Sequence, residues 1–411
     1  MKEYDVTVIG GGPSGAVAAR HAANVGARVL LVERGDGSGR PAHCTGLVSP
    51  RTLRMTGTSP KSILREIKGG ILHAPNGREL EIKSNTVKGL VLDRAQLDRE
   101  LLGLASSVGV DIRYQACANF AAPGRVFLRG KTGREEVKTG LIIGADGPMS
   151  TVARCFSLPK PARLLRASQA IVATEPRLQN GVEIFFEQKL TPGFFAWAVP
   201  AEEGQLRVGL AAPLEADIER RLNHLLRRRF PGEIIERIRG LIPIGACRRT
   251  VTDGALLVGD AAGQVKPTSG GGIYTGSLCA RIAGEIAGYA ALTGKTDEKT
   301  LLEYERRWRG RLGDELEFGW LAHQALSSLS DHELDRILSF IDHAKIQRLI
   351  EKEGDIDYPS RLVKAFLSDH SLWRNLIPLV PLLGKQGRLL GRLVRLIVAS
   401  PDHSADPPPT P

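Results

Sequence analysis

The stretch "VIGGGPSGAVAARHAANVGARVLLVER" (8–34) constrains the fold of this chain more than any other segment. Val6, Val8 and Ile9 predict a buried strand. Gly10, Gly12 and Gly15 then fit GxGxxG at the mouth of an alanine-rich helix that ends near Gly26, and "ARVLLVE" predicts a second strand ending in Glu33. Each position has a mechanical reason. Gly10 allows the tight turn, Gly12 lets backbone approach a pyrophosphate, and Gly15 lets helix and strand pack closely. The helix N-terminus offers N–H groups and a positive dipole to phosphates, with Ser14 in its first turn. Glu33 can accept hydrogen bonds from a ribose and disfavours the extra phosphate of NADP. Strand, helix, second strand and acid in this order predict a dinucleotide site. These residues leave FAD and NAD both open.

A chain of 411 residues can form two or three domains around a large core. Its hydrophobic residues (42%) and charged residues (25%) are in the ordinary globular range. Glu3, Asp5 and the glycine cluster interrupt any apolar run at the amino terminus, so no export signal is expected, and no apolar run has membrane-spanning length. Cys44, Cys117, Cys155, Cys247 and Cys279 lack CxxC spacing, which predicts no metal site and a cytoplasmic protein with reduced thiols. The formal net charge of +11 suits an anionic surface. With aromatics at 5% and no nucleic-acid module, acidic lipid is the better fit than nucleic acid.

Further along, "IKGGILHAPNGRELEIKS" (67–84) predicts two strands joined around Asn76-Gly77. Residues 92–114 predict a helix, with Leu97, Leu101 and Leu104 on one face, followed by a strand. Residues 141–154 predict strand, turn and helix start, 164–212 strands, 217–229 a charged helix, and 254–263 a buried strand ending in Gly-Asp. From Ser277 helices dominate. The predicted class is α/β: a discontinuous Rossmann-like FAD-binding domain (1–66, 92–160 and 241–295) with an inserted β-sheet substrate domain (67–91 and 161–240). A C-terminal helical region (296–404) and a disordered proline-rich tail (405–411) complete it.

Three separated motifs, "GGGPSG" with Glu33, "GADGPMSTVAR" and "LLVGDAAGQVKPTSGGGI", resemble the FAD-dependent oxidoreductases related to para-hydroxybenzoate hydroxylase. "AHCTGLVS" (42–49), "VLDRAQLDREL" (91–101), "TPGFFAWAVP" (191–200) and "KPTSGGGIYTG" (266–276) narrow the resemblance to the geranylgeranyl reductase family, over roughly residues 3–290. The resemblance implies FAD as cofactor. It implies that Asp146 with Gly147 shapes the dinucleotide site and that Asp260 bonds a ribityl hydroxyl. It further implies that Cys44, Thr45, Gly46, Arg94, Ala118, Gly271, Gly272 and Ile273 line the flavin, at the N-terminus of a helix whose dipole favours the anionic reduced ring. The family's Tyr-x-Trp-x-Phe-Pro motif has become Phe195, Ala196, Trp197, Ala198, Val199, Pro200, so Phe195, Trp197 and Pro200 are the expected substrate contacts.

The activity so implied is saturation of isolated carbon–carbon double bonds in a polyprenyl chain, carried by a prenyl lipid or prenyl diphosphate. An alkene without a carbonyl accepts hydride poorly, so the site must supply a hydride from reduced FAD together with a placed proton. Cys44 and Tyr274 are the candidate donors by position. NAD(P)H or a ferredoxin-like protein is the expected electron source, because no second GxGxxG marks an NADPH domain. A flavin monooxygenase or halogenase on the same scaffold is the alternative, "FFAWAVP" being similar to the aromatic–proline strand of flavin halogenases. A non-catalytic carrier of prenyl lipids is a third reading. Last, "GKQGRLLGRLVRLIVAS" (384–400) places Arg388, Arg392 and Arg395 on one helical face and Leu389, Leu393, Leu396 and Ile397 on another, the pattern of a peripheral contact with an anionic membrane. The same pattern also suits a helix that packs its leucines on the rest of the protein.

Overall fold

The computed structural model describes residues 3–40, 44–131, 133–372 and 387–399. Its first sheet has a parallel core in the order Ala255–Leu257, Gly133–Gly144, Glu3–Ile9, Val29–Val32 and Asp111–Arg113. Parallel strands bury both faces, and the side chains divide accordingly. Val6, Val8, Leu31 and Ile143 join one core cluster, whereas Ile9, Leu30, Val32 and Ile142 join another on the opposite face. Over the first face lie the helices Pro13–Asn24 and Ile273–Leu292. Their backbones touch because the facing residues are small: a Cβ on Gly284 would sit 2.3 Å from the Ala18 carbonyl oxygen.

The second sheet has seven strands, with Glu233–Ile244, Arg163–Ala173, Gln205–Pro213, Ala196–Pro200 and Gly181–Phe185 followed by the hairpin Gly69–His73 and Glu79–Lys83. That hairpin turns at Gly77, where φ is +87°. Alternation along these strands gives the sheet two unlike faces. Ala196, Ala198, Val208 and Leu210 pack against Leu222, Leu225 and Leu226 of the helix Ile218–Arg229. Trp197, Val199 and Ala211 point the other way, toward the nucleotide-binding half of the molecule. A three-stranded sheet of Leu47–Val48, Gly89–Leu92 and Ile63–Ile67 lies beside it.

Helices fill the carboxy-terminal third, as the sequence predicts. Among the described residues no helix is long and apolar enough to cross a membrane. The helix Gly387–Ala399 does form, but its apolar side is occupied. Leu393 (7% exposed) and Ile397 (3%) are buried with Phe318 and Leu321, and Leu389 and Leu396 pack on the same cluster. Arg392 pairs with Glu317 at 3.2 Å. The leucines therefore face protein, which corrects the expectation of a leucine face open to lipid. The tail 405–411 lies outside the described residues.

Candidate FAD and substrate site

The glycine loop turns as its spacing requires, and each glycine meets a different constraint. Gly10 has φ +104°, and a Cβ there would lie 2.3 Å from the Ala145 carbonyl oxygen. On Gly15 a Cβ would lie 1.8 Å from the Gly10 carbonyl oxygen, whereas on Gly12 it would meet nothing within 4 Å. Gly12 is thus the open edge, next to a helix N-terminus that no side chain caps. Glu33 closes the second strand with its carboxylate accepting from Gly11 N–H (2.7 Å) and Gly35 N–H (2.5 Å). Ser14 packs between two further glycines: a Cβ on either Gly259 or Gly276 would lie 2.5 Å from Ser14 Oγ.

A cavity of about 500 Å³ begins at Gly12 and Ser14 and runs to the inner face of the seven-stranded sheet. Along its polar wall are Cys44, Thr45, Gly46, Arg94, Asp260, Gly271, Gly272 and Ile273. Gly272 begins the helix Ile273–Leu292 and, again, no side chain caps that N-terminus. Asp260 makes no side-chain hydrogen bond to another described residue, and burial pushes its carboxyl up to about 6 despite nearby Arg94. Burial works against the Arg94 charge too, but Asp98, bonded at 3.0 and 3.1 Å, and the Cys44 sulfur hold it firmly protonated. Two uncapped helix ends, an unpaired carboxylate and a glycine with open space above it fit a dinucleotide with phosphates and hydroxyls, as FAD has.

The opposite wall is apolar. Phe195, Trp197 and Val199 line it with Ile184, Ile238 and Ile242. Pro200, expected beside them, does not line the cavity. Residues 195, 197 and 199 share one face of the strand, and the period of two turns Pro200 with Ala196 and Ala198 to the other. Phe194 stacks on Phe195 (centroids 4.3 Å apart), and Phe195 meets Trp197 edge-on at 6.1 Å.

Gly10, Gly15, Glu33, Tyr274, Ala118 and Asp146 also lie off the cavity. Tyr274 is 2% exposed in the core below the helix start, and its hydroxyl is 3.0 Å from that of Tyr358. The helix turn that brings Ile273 to the cavity carries Tyr274 away from it, so it is corrected as a proton donor. Ala118 packs in the core with Leu30 and Val32. Asp146 spends its carboxylate on Ser150 Oγ (2.5 Å) and the N–H groups of Thr151 (2.6 Å) and Val152 (3.2 Å). It builds the turn that presents Gly147 to the cavity rather than reaching it directly.

The structure adds residues that local motifs do not mark. Arg207 donates to the carbonyls of Thr45 (2.6 Å) and Leu92 (3.0 Å), fixing the Cys44–Gly46 loop. Gln169 accepts from the Thr45 hydroxyl at 2.7 Å and the Trp197 indole at 3.0 Å. From the carboxy-terminal region, the segment 354–359 closes one side. Ile356 lines the cavity, Lys266 Nζ donates to Asp357 (2.7 Å) and the Ile356 carbonyl (2.9 Å), and Arg51 pairs with Asp355 at 2.7 Å. Glu315 anchors the next helix through the N–H (3.1 Å) and hydroxyl of Ser360.

Burial, with Asp355 adding to it, pushes the Glu315 carboxyl up to about 7, against the pull of Ser360 and Lys266. A carboxyl whose pKa is higher folded than unfolded binds the extra proton in the native state. Its stabilising effect is present below the ordinary glutamate range and is lost as pH rises through about 7. The melting temperature of the protein should therefore fall between pH 5 and pH 8, and Glu315→Gln should flatten that decline. A decline of equal size in the variant would assign it to other groups.

An FAD binding domain model matches residues 3–312, which is most of the chain. Digeranylgeranylglycerophospholipid reductase 2 of Methanothermobacter thermautotrophicus is 36% identical over 377 residues, spanning 88% of this chain and 98% of that protein. Its namesake in Methanopyrus kandleri is 32% identical over 383 residues, with 88% and 96% covered. Among solved structures, a geranylgeranyl bacteriochlorophyll reductase-like protein from Thermoplasma acidophilum superposes with a TM-score of 0.82 at 22% identity, covering 95% of this chain and all of that one. A p-nitrophenol 4-monooxygenase from Pseudomonas putida (TM-score 0.69, 19% identity, 86% and 98% covered) shares the fold alone. The cofactor is FAD, the protein is an FAD-dependent oxidoreductase, and the chain belongs to the geranylgeranyl reductase family.

Proposed function

We propose that this protein reduces isolated double bonds in the polyprenyl chains of lipids, a reading supported by relatives named digeranylgeranylglycerophospholipid reductase. The observation that carries the reading is the two-sided cavity. Groups suited to a dinucleotide form one wall and a hydrocarbon-compatible surface of Phe195, Trp197, Val199 and isoleucines forms the other. FAD, when bound and reduced, supplies the hydride. The chain's own residues do the remainder. Gly12, Ser14 and the helix end at Gly272 receive the phosphates and the ring, Asp260 accepts from a hydroxyl, and the apolar wall holds the alkene close and excludes water.

Cys44 is the proposed holder of the proton. It lines the cavity, Gly46 N–H donates to its Sγ at 3.3 Å, and Arg94 and Arg207 are its charged neighbours. Electrons come from NAD(P)H or an acidic ferredoxin-like carrier, a reading supported by the basic charge of the chain. The same charge supports electrostatic contact with an anionic membrane, independent of the buried leucines of the last helix.

Anaerobic incubation with chemically reduced FAD and prenyl lipids, read by product mass, tests the function: a gain of two mass units per double bond is expected, and no gain with any prenyl lipid rejects it. In the same assay Cys44→Ser should reduce turnover about 100-fold or more, the scale of a lost acid–base contribution, with FAD content unchanged. Unaltered turnover would return Cys44 to a packing role. Asp260 adds a pH test. Because its carboxylate is the form that accepts, FAD retention should strengthen as pH rises through about 6, and Asp260→Asn should remove that dependence.

A further inference from the structure

Trp197 is the largest side chain on the apolar wall, and a residue behind it sets how far it stands into the cavity. Gln169, Gly209 and Trp197 lie in one row across three neighbouring strands, Gln169 opposite Gly209 and Gly209 opposite Trp197. The strand period of two sends Arg207, Gly209 and Ala211 to the cavity side of the sheet, and Val208 and Leu210 to the core under the helix Ile218–Arg229. Of the three on the cavity side, only Gly209 lacks a side chain. A Cβ there would lie 2.6 Å from Cε2 and Cζ2 of the Trp197 indole and 2.8 Å from its Nε1. The ring thus rests directly on glycine backbone.

The ring is also held laterally. Its N–H donates to Gln169 Oε1 at 3.0 Å, and that oxygen accepts from the Thr45 hydroxyl at 2.7 Å as well. Phe195 stands edge-on beside it at 6.1 Å. With the sheet beneath and these neighbours around it, the indole can yield only away from the sheet, on the side where it lines the cavity. Ordinary contact with a Cβ begins at 3.4 Å, so a methyl group at position 209 must drive the ring outward into space that a chain would use.

Prenyl and straight hydrocarbon chains offer such a wall the same apolar chemistry, but they differ in width, because each isoprene unit carries a methyl branch. Resting on the assignment of this cavity to a polyprenyl chain, we propose that Gly209 is a specificity-determining residue that acts through Trp197. By letting the indole rest against the sheet, it keeps the cavity wide enough for methyl-branched chains. A single carbon more or less in an apolar pocket changes binding about tenfold or more, enough for one glycine to separate the two chain types.

The test is equilibrium binding of two radiolabelled saturated glycerol ethers to the FAD-loaded protein, with bound FAD quantified. One ether carries a methyl-branched phytanyl chain and the other a straight chain of the same backbone length. Gly209→Ala should weaken the branched ether about tenfold and leave the straight one near wild type. In a Trp197→Phe background the smaller ring leaves room, so the same alanine should cost little and the two changes should be strongly non-additive. Should Gly209→Ala not fold, the double variant decides alone, and it should bind the branched ether as Trp197→Phe does. Unchanged or equally weakened binding of both ethers by Gly209→Ala, a tenfold loss in the phenylalanine background, or a double variant that also fails to fold overturns the inference. Gly209 would then be a packing glycine. A wild type that binds neither ether and reduces no prenyl lipid would instead reject the function on which the inference rests.

Discussion

Gly15→Ala should abolish the folded, FAD-binding form of this protein, whereas Gly12→Ala should fold normally and lose affinity for FAD. The two positions are three residues apart in one motif, yet their surroundings are opposite. On Gly15 the added carbon would sit 1.8 Å from the Gly10 carbonyl oxygen, a backbone atom that cannot turn aside. Relief requires the helix Pro13–Asn24 to lift from the strand before it. That helix also packs Ala18 against Gly284, so the displacement would spread into the helix Ile273–Leu292 and its flavin-facing end. The expected cost is several kcal/mol, a large fraction of the ~5–15 kcal/mol that holds a domain folded. Gly12 has nothing within 4 Å of its added carbon, so Gly12→Ala should melt within about a degree of wild type as apoprotein. Its methyl group would occupy the open space above the helix N-terminus where a pyrophosphate approaches. Apoprotein melting curves and FAD titration separate the two effects. Equal melting losses in both variants would contradict the assignment of Gly12 to the ligand and Gly15 to packing.

This contrast also shows what was legible from sequence. The spacing of Gly10, Gly12 and Gly15, with a strand before and Glu33 after, reports a local turn whose constraints act within about 25 residues. The discontinuous sheet was legible for a related reason: parallel strands buried on both faces are continuous apolar runs, as "VLLV" and "LIIG" are. Two strands without such a run, Ala116–Ala122 and Glu233–Ile244, went unrecognised. Gln169 was hidden because its role depends on register. Thr45 lies 124 residues from it and Trp197 28, and only strand pairing across Gly209 brings the three together. Pro200 shows the converse error, a motif member assigned to the site although the alternation of its strand points it away. For the last helix, the arginine and leucine stripes suited lipid and protein equally, and the apolar surface of Phe318 and Leu321 made the difference.

The second large effect is expected far from the glycine loop, at the segment that closes the cavity from the carboxy-terminal side. Asp357 is fully buried, and among the described residues its one hydrogen-bonded cation is Lys266, 2.7 Å away and itself 6% exposed. Arg51 stands 3.9 Å from Asp357, beyond hydrogen-bond reach, and pairs with Asp355 at 2.7 Å. Two charges removed from water in this way add little net stability, because desolvation offsets their attraction, but removing one partner leaves the other without compensation. Lys266→Met should therefore cost about 3–5 kcal/mol in chemical denaturation. Asp357→Asn combined with Lys266→Met should recover much of that loss, since no net charge then remains buried. The consequence for the site follows from Ile356, whose side chain lines the cavity and whose carbonyl accepts from the same Lys266 ammonium. With that anchor gone the segment should loosen from the cavity wall, and the single variant should release FAD faster than wild type at a temperature where both are folded. A single variant as stable as wild type would show that Arg51 or water compensates Asp357. A double variant no better than the single would show that the anchoring of Ile356, rather than the unpaired charge, carries the energy.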